Sequence, residues 1–147
     1  MDVIEPALCY VIVKEYDGDV DESGNFAGFG TAALDNGCGY EGNFLNGFLH
    51  GEGKFSWSNG VTYEGTFEMG ELKGTGTYKW PDGSSYVGGI AAGKRHGTGQ
   101  FSSSSGQFYD GEWVCGLRHG QGKMYYTENR AVEYQGAWVD DLRQGHG

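Results

Sequence analysis

The fold is decided by residues 63–85, which read YEGTFEMGELKGTGTYKWPDGSS. Residues 63–67 alternate aromatic, glycine and aromatic on one face of a strand, with Glu64 and Thr66 on the other. Residues 76–80 repeat this alternation and place Tyr78 and Trp80 on one face. The segment therefore predicts two short strands joined by a turn over residues 69–74. The tight connection Pro81-Asp82-Gly83 follows, and Asn-Gly or Asp-Gly pairs are expected there because both residues tolerate positive φ.

The same arrangement recurs along the whole chain. Further glycines follow each Tyr-x-Gly at fixed distances, so that all of the 29 glycines except Gly39 and Gly89 belong to the pattern. The Tyr-x-Gly segments start 23 to 25 residues apart, and a regular period of this length is typical of repeat architectures. We therefore predict an all-β fold, a single elongated, twisted antiparallel meander sheet of about twelve short strands. The repeats start near Tyr16, Tyr40, Tyr63, Tyr86, Tyr109 and Tyr134.

Two further predictions concern the organisation of this sheet. Residues 16–147 form six repeats, the last incomplete, and residues 1–15 form a capping strand over the first edge, centred on the β-branched run 7–13. A glycine in the middle of each first strand removes a side chain between two aromatics, which lets rings lie over the backbone. These glycines are predicted to be structural: Gly42, Gly65, Gly88, Gly111 and Gly136.

Composition narrows the classes of function. The chain of 147 residues has 10 basic and 20 acidic residues, a net charge of −10. An acidic surface disfavours both nucleic-acid binding and electrostatic docking on anionic lipid. No apolar stretch reaches the roughly 18 residues of a membrane span, and the N-terminal residues lack the basic region of a signal peptide. Cys9, Cys38 and Cys115 form no C-x-x-C pair and are expected to be reduced thiols.

The repeated pattern Y-x-G-x-[FW]-x-x-G-x-x-x-G-x-G resembles MORN (membrane occupation and recognition nexus) repeats over residues 16–147. Within that family the chain most resembles the radial-spoke-head proteins of motile cilia, of the radial spoke head 10 type. This narrower resemblance rests on VKEY at 13–16, GCGY at 37–40, YKWPDG at 78–83, GKRHG at 93–97 and YQGAW at 134–138. It implies a cytoplasmic, cytoskeletal location in the axoneme of a cilium or flagellum, among other spoke-head subunits.

Candidate metal and nucleotide sites are disfavoured. His50, His96 and His119 each precede a glycine, but successive repeats separate them by about 10 Å, whereas zinc binds nitrogens at about 2 Å. They are expected to be turn residues. The glycines of residues 37–42 fit G-x-G-x-x-G, but a dinucleotide site needs that motif between a strand and a helix. We predict no metal and no cofactor.

Catalytic residues are not expected either. General acid–base chemistry needs a closed pocket with carboxylates of different pKa. The carboxylates of the first strands instead recur on the polar, solvated face. Cys115 and His119 lie close in sequence without a third orienting group, so the chain is predicted not to be an enzyme. The recurrent carboxylates are Glu41, Glu64, Asp110 and Glu112.

The aromatic residues of the repeats are predicted to share one face of the sheet. Most of them are expected to form the core, but a single-layer sheet has no second layer to cover the face, and uncovered aromatic surface marks an interface. Trp57 and Trp80, which end the second strands, are predicted to be partly exposed. The predicted groove suits a helix or an extended segment of a partner protein and comprises Tyr40, Phe44, Trp57, Tyr63, Phe67, Trp80, Tyr86, Trp113 and Trp138.

The sequence thus predicts a non-enzymatic scaffold that binds protein subunits. The resemblance leaves two alternatives, a phosphoinositide-binding membrane module and a targeting segment of a larger protein. The ten basic residues are scattered over the repeats, which disfavours the membrane alternative. The sixth repeat ends at Gly147 before its second aromatic strand, so its edge is expected to pair with further chain or with a neighbouring subunit.

Overall fold

The computed structural model describes residues 3–6, 12–126 and 133–144. Every regular element among these residues is a β-strand, and the twelve strands form one open antiparallel sheet in sequence order. The predicted all-β meander is confirmed. The strands are β1 Val13–Val20, β2 Phe26–Leu34, β3 Gly39–Leu45, β4 Phe48–Ser56, β5 Thr62–Glu68, β6 Glu71–Lys79, β7 Ser85–Ala91, β8 Lys94–Ser102, β9 Phe108–Val114, β10 Leu117–Tyr125, β11 Glu133–Val139 and β12 Leu142–Gln144.

The predicted capping strand falls largely outside this description. Residues 1, 2 and 7–11 lie outside the described residues, and β1 begins at Val13. Residues 3–6 are described and contain no strand.

The turn inside each repeat from Tyr40 onward is shorter than predicted. Met69 and Gly70 have φ values of 48° and 88° and reverse the chain by themselves, as a type I′ turn does because its twist matches that of the strands. The pairs Phe67↔Leu72 and Glu68↔Glu71 follow at once. The prediction of a turn over residues 69–74 is therefore wrong, since residues 71–74 belong to β6.

The connections from β2 to β3, β4 to β5, β6 to β7 and β8 to β9 are three-residue loops. In the loop of residues 58–60, the Trp57 N–H donates to the Val61 carbonyl at 2.9 Å, and Gly60 has a φ of 92°. Asn59 does not adopt positive φ, contrary to the expectation for both residues of the Asn-Gly pair. Its Oδ1 instead accepts a hydrogen bond from the Val61 N–H at 3.1 Å, so its side chain and not its backbone stabilises the loop.

A continuous row of glycines crosses the sheet. Each strand from β1 to β11 contributes one glycine, and each glycine is paired directly with the glycine of the next strand. We call this set the glycine row. It consists of Gly18, Gly30, Gly42, Gly53, Gly65, Gly76, Gly88, Gly99, Gly111, Gly122 and Gly136.

The repeat tyrosines lie over this row. The Tyr63 ring occupies the space that a Cβ on Gly76 would need, and the Tyr63 hydroxyl donates to the Thr66 carbonyl at 2.9 Å. Tyr86 covers Gly99 in the same way. A hydroxyl bond to the carbonyl three residues along the chain is made by Tyr16, Tyr40, Tyr63, Tyr86, Tyr109 and Tyr134.

The rings also join successive repeats. Tyr40 packs edge-on against Phe44 of its own repeat, with centroids 5.1 Å apart, and against Phe67 of the next repeat at 5.2 Å. Tyr109 contacts Trp113 at 5.0 Å and Trp138 at 5.4 Å in the same geometry. Such edge-to-face contacts contribute about 0.5–1.5 kcal/mol beyond simple burial. Tyr40 and Tyr109 therefore each couple two neighbouring repeats.

We expect Gly76→Ala to lower the free energy of unfolding by about 1–3 kcal/mol, because the added methyl group overlaps the Tyr63 ring. Gly65→Val should be at least as costly, since its Cβ meets the backbone of Gly76 and Thr75. Urea denaturation followed by circular dichroism measures both changes. Gly39→Ala is the matched control in a strand, because the nearest atom to its Cβ is 3.8 Å away. Equal stability of Gly76→Ala and Gly39→Ala would contradict the proposed packing.

Burial raises the pKa of Tyr63 and of Tyr109 to about 12, whereas tyrosines in an unfolded chain ionise near pH 10. The folded chain thus binds these protons more tightly, so stability is fully present below pH 10 and falls as the pH rises from about 10 to 12 and beyond. We expect absorbance at 295 nm to show delayed ionisation in the native chain, and urea midpoints to fall above pH 10. Normal ionisation near pH 10 without unfolding would contradict the burial of these hydroxyls.

Candidate functional site

The nine predicted groove residues share the face of the sheet that carries the glycine row. We call this the aromatic face. All nine are buried, with between 0% and 8% of their surface exposed. They pack as one cluster, which comprises Tyr40, Phe44, Trp57, Tyr63, Phe67, Trp80, Tyr86, Trp113 and Trp138.

The predicted exposure of Trp57 and Trp80 is wrong. Only 8% of Trp57 and 7% of Trp80 is accessible to solvent. Both indoles lie nearly parallel to the Tyr78 ring between them, at centroid distances of 6.0 Å and 5.3 Å. The rings lean along the sheet toward their neighbours, so a single layer buries aromatic side chains that we expected to remain uncovered.

A short segment before the sheet lies on the aromatic face. The Trp80 Nε1–H donates to the carbonyl of Ile4 at 2.8 Å, and the Arg95 Nη2 group donates to the carbonyl of Val3 at 3.2 Å. Glu5, which is buried, directs its carboxylate at Arg95. Residues 3–6 are thus held on this face by two main-chain carbonyls and one acidic side chain.

Arg95 is the centre of this contact. Its side chain is only 3% exposed, and its Nε lies 3.0 Å from Glu5 Oε2, which also accepts the Arg95 backbone N–H at 2.7 Å. The guanidinium carbon is 4.7 Å from the centre of the Trp113 ring and 5.5 Å from that of Trp80. A buried charge requires a partner charge and hydrogen bonds, and this one has both, with cation–π contacts in addition.

Arg118 repeats the arrangement in the following repeat. Its backbone N–H and its Nε both donate to Asp141 Oδ1, at 2.8 Å and 2.9 Å, and its Nη2 donates to the Asp141 carbonyl at 3.0 Å. Its guanidinium carbon lies 4.3 Å from the Trp138 ring centre. The aromatic face therefore carries two built carboxylate-binding positions, one in each of two successive repeats.

Sequence reasoning missed both arginines. Arg95 and Arg118 pair with Ile90 and Trp113, at the position where earlier repeats carry Leu49 and Leu72. An arginine at a repeat position that otherwise holds buried leucine was the available signal. The Glu5 partner gave no such signal, because it lies outside the repeats.

Three histidine side chains accept hydrogen bonds from the turn of the following repeat. His50 Nδ1 accepts the backbone N–H of Met69 at 3.1 Å, in the turn of the next repeat. His96 and His119 accept the N–H groups of Cys115 and Asp140 at 3.5 Å and 3.4 Å. Among residues 3–6, 12–126 and 133–144, no group of three or more His, Cys, Asp or Glu side chains could hold a metal ion.

The glycine motif, the cysteines and the carboxylates considered as candidate sites are dispersed over the sheet. Of the G-x-G-x-x-G glycines, Gly37 precedes strand β3, and Gly39 and Gly42 lie within it, so a strand and not a helix follows the motif. Cys115 is exposed at a turn, whereas Cys38 is buried. No helix within the described part of the chain is long and apolar enough to span a membrane. The carboxylates predicted to lie on the solvated face are all exposed, namely Glu41, Glu64, Asp110 and Glu112.

Comparison with protein families identifies the repeat. The family model of the MORN repeat matches residues 40–62, 63–85, 86–108, 109–129 and 134–147. The unit predicted from Tyr16 is outside these five segments, although β1 and β2 carry the glycine row. A search of curated protein sequences finds no match to the chain. MORN repeats are non-enzymatic and indicate a protein-interaction or membrane-binding module. With five matches over most of its length, the chain belongs to the MORN-repeat family.

Proposed function

We propose that the chain is a non-enzymatic scaffold that binds an extended segment of another protein on its aromatic face. The observation that carries the proposal is the position of residues 3–6. Trp80 and Arg95 bind the main-chain carbonyls of Ile4 and Val3, and Arg95 binds the Glu5 side chain. Recognition of extended peptides combines main-chain hydrogen bonds with positions that select side chains, and this face offers both.

The surface beside these residues can accept more chain. A cavity of about 330 Å³ adjoins Glu5 and Pro6 at the turn ends of the strands. Its lining combines the apolar side chain of Leu72 with the opposite charges of Lys94 and Glu71, a mixture that can accommodate a peptide with apolar and charged side chains. Its remaining walls are Gly70, Ala92 and Gly93.

We further propose that this scaffold works in the axoneme of a cilium or flagellum, within the radial spoke head. The support is the resemblance of the segments at 13–16, 37–40, 78–83, 93–97 and 134–138 to radial-spoke-head proteins. The aromatic face, and the β12 edge of the sheet, would then contact neighbouring spoke-head subunits.

The alternative functions have less physical support. A phosphoinositide site needs clustered free cations, but Arg95 and Arg118 are already paired with carboxylates, and the net charge is −10. Failure to sediment with phosphoinositide vesicles at physiological salt would agree with the scaffold proposal. The targeting-segment hypothesis is compatible with the same binding face and differs only in what further chain is attached.

Lysine-directed crosslinking to isolated axonemes tests the proposed face. We expect crosslinks to partner proteins at Lys94, which lines the cavity, and few at Lys54 and Lys79. The latter two are matched controls, because they are exposed lysines of β4 and β6 that do not line the cavity.

Two outcomes would contradict the proposal. Crosslinks confined to Lys54 and Lys79 would place the partner away from the cavity and from residues 3–6. Absence of the chain from axonemes, together with binding to phosphoinositide vesicles at physiological salt, would favour the membrane module instead.

A further inference from the structure

The turn of each hairpin docks on the repeat before it. The Gly116 N–H donates to the Arg95 carbonyl at 2.9 Å, and the Asp141 N–H donates to the Arg118 carbonyl at the same distance. Gly116 and Asp141 are both the second residue of their turns, with φ values of 84° and 71°. The two turns are thus equivalent in backbone position and differ in having, or lacking, a carboxylate side chain.

Glu5 takes the place of the side chain that Gly116 lacks. A Cβ built on Gly116 would lie 3.0 Å from each carboxylate oxygen of Glu5. The hydrogen bonds also correspond: one carboxylate oxygen accepts the backbone N–H and the Nε of the arginine, and Nη2 donates to a main-chain carbonyl. The turn of the last repeat itself supplies the carboxylate for Arg118. At Arg95 the carboxylate comes from Glu5, which lies outside the sheet.

The donors around Arg95 are arranged for a peptide and not for a free anion. Two of its donors, Trp80 Nε1–H and Arg95 Nη2, bind main-chain carbonyls of the residues that precede the acid. Arg95 Nη1 is buried and makes no hydrogen bond to the described residues, so a donor remains for an additional acceptor. The Ile4 side chain is 76% exposed and contributes little to holding the segment.

Resting on the proposed function, we propose that Arg95, Trp80 and Trp113 bind a glutamate within an extended segment of a partner protein, which displaces residues 3–6. Residues 3–6 show the chemistry of that ligand: two main-chain carbonyls directly before a glutamate. The spare Nη1 donor gives a longer partner segment a hydrogen bond that residues 3–6 do not make.

Peptide binding to the full chain tests this assignment. The chain carrying Glu5→Gln retains residues 3–6 but loses their carboxylate, which opens the site. The probe is a fluorescent peptide with the sequence MDVIEPAL of residues 1–8, and its partner probe has glutamine in place of glutamate. We expect the variant chain to bind the glutamate peptide at least tenfold more tightly than the glutamine peptide, and more tightly than the unaltered chain does.

Arginine variants supply the matched control. In the Glu5→Gln background, Arg95→Lys should abolish the preference for glutamate, because lysine cannot reproduce the planar, multiply bonded contact. Arg118→Lys should leave it unchanged within about twofold, since Asp141 occupies that arginine. If the chain carrying Glu5→Gln loses its β-sheet circular-dichroism spectrum, the unaltered chain is used instead. Displacement of residues 3–6 is then followed through the Trp80 indole N–H resonance during titration with the glutamate peptide.

Equal binding of the two peptides, or no response to the glutamate peptide at millimolar concentration, would show that Glu5 is only an internal tie and would overturn the assignment. The proposed function is tested by a different result, the crosslinking to axonemes. Partner crosslinks at Lys94 without any glutamate preference would leave the aromatic face as the interface and remove the role of Arg95. Crosslinks confined to Lys54 and Lys79, away from the cavity, would remove both.

Discussion

The close approach of glycine to a tyrosine ring is the constraint on which the rest of the structure depends. Tyr63 lies where the Cβ of any other residue at Gly76 would be, and Tyr86 and Gly99 repeat the relation. The ring can lie along the sheet because the glycine row leaves a channel across it. Its hydroxyl then donates to a backbone carbonyl of its own strand, three residues along the chain. Packing and hydrogen bonding thus depend on the same missing side chains.

This arrangement explains how a single sheet obtains a core. Most sheets bury their apolar face against a second layer. Here the aromatic rings cover the glycine row and each other, and the edge-to-face contact of Tyr40 with Phe67 carries the packing from one repeat to the next. Stability in such an array comes from contacts between neighbours. The tip of each hairpin from β3–β4 onward adds to this coupling, because the N–H of its second turn residue donates to a carbonyl of the preceding repeat, as from Gly70 to Leu49.

The repeats are alike in backbone but differ in chemistry. At the second residue of the second strand, the repeats that start at Tyr40 and Tyr63 carry Leu49 and Leu72. The next two repeats carry Arg95 and Arg118 there. Leucine there extends the core, whereas a buried arginine needs a carboxylate and is costly without one. Two different sources supply it, the turn residue Asp141 and the distant Glu5. A substitution at one repeat position thus changes a packing surface into a surface with a defined chemical requirement.

The 23-residue period and the alternation around Tyr63 were enough to predict the sheet, its strand order and the family pattern, because both are local and repeated. Turn length was misjudged, since two positive-φ residues, Met69 and Gly70, complete the reversal and leave the following residues free to pair. Burial of Trp57 and Trp80 depends on rings leaning toward neighbouring strands, which period and composition do not specify. The Glu5–Arg95 pair joins residues 90 positions apart. Only the tertiary structure could bring them together, because their attraction depends on proximity in space and leaves no periodic trace in the sequence.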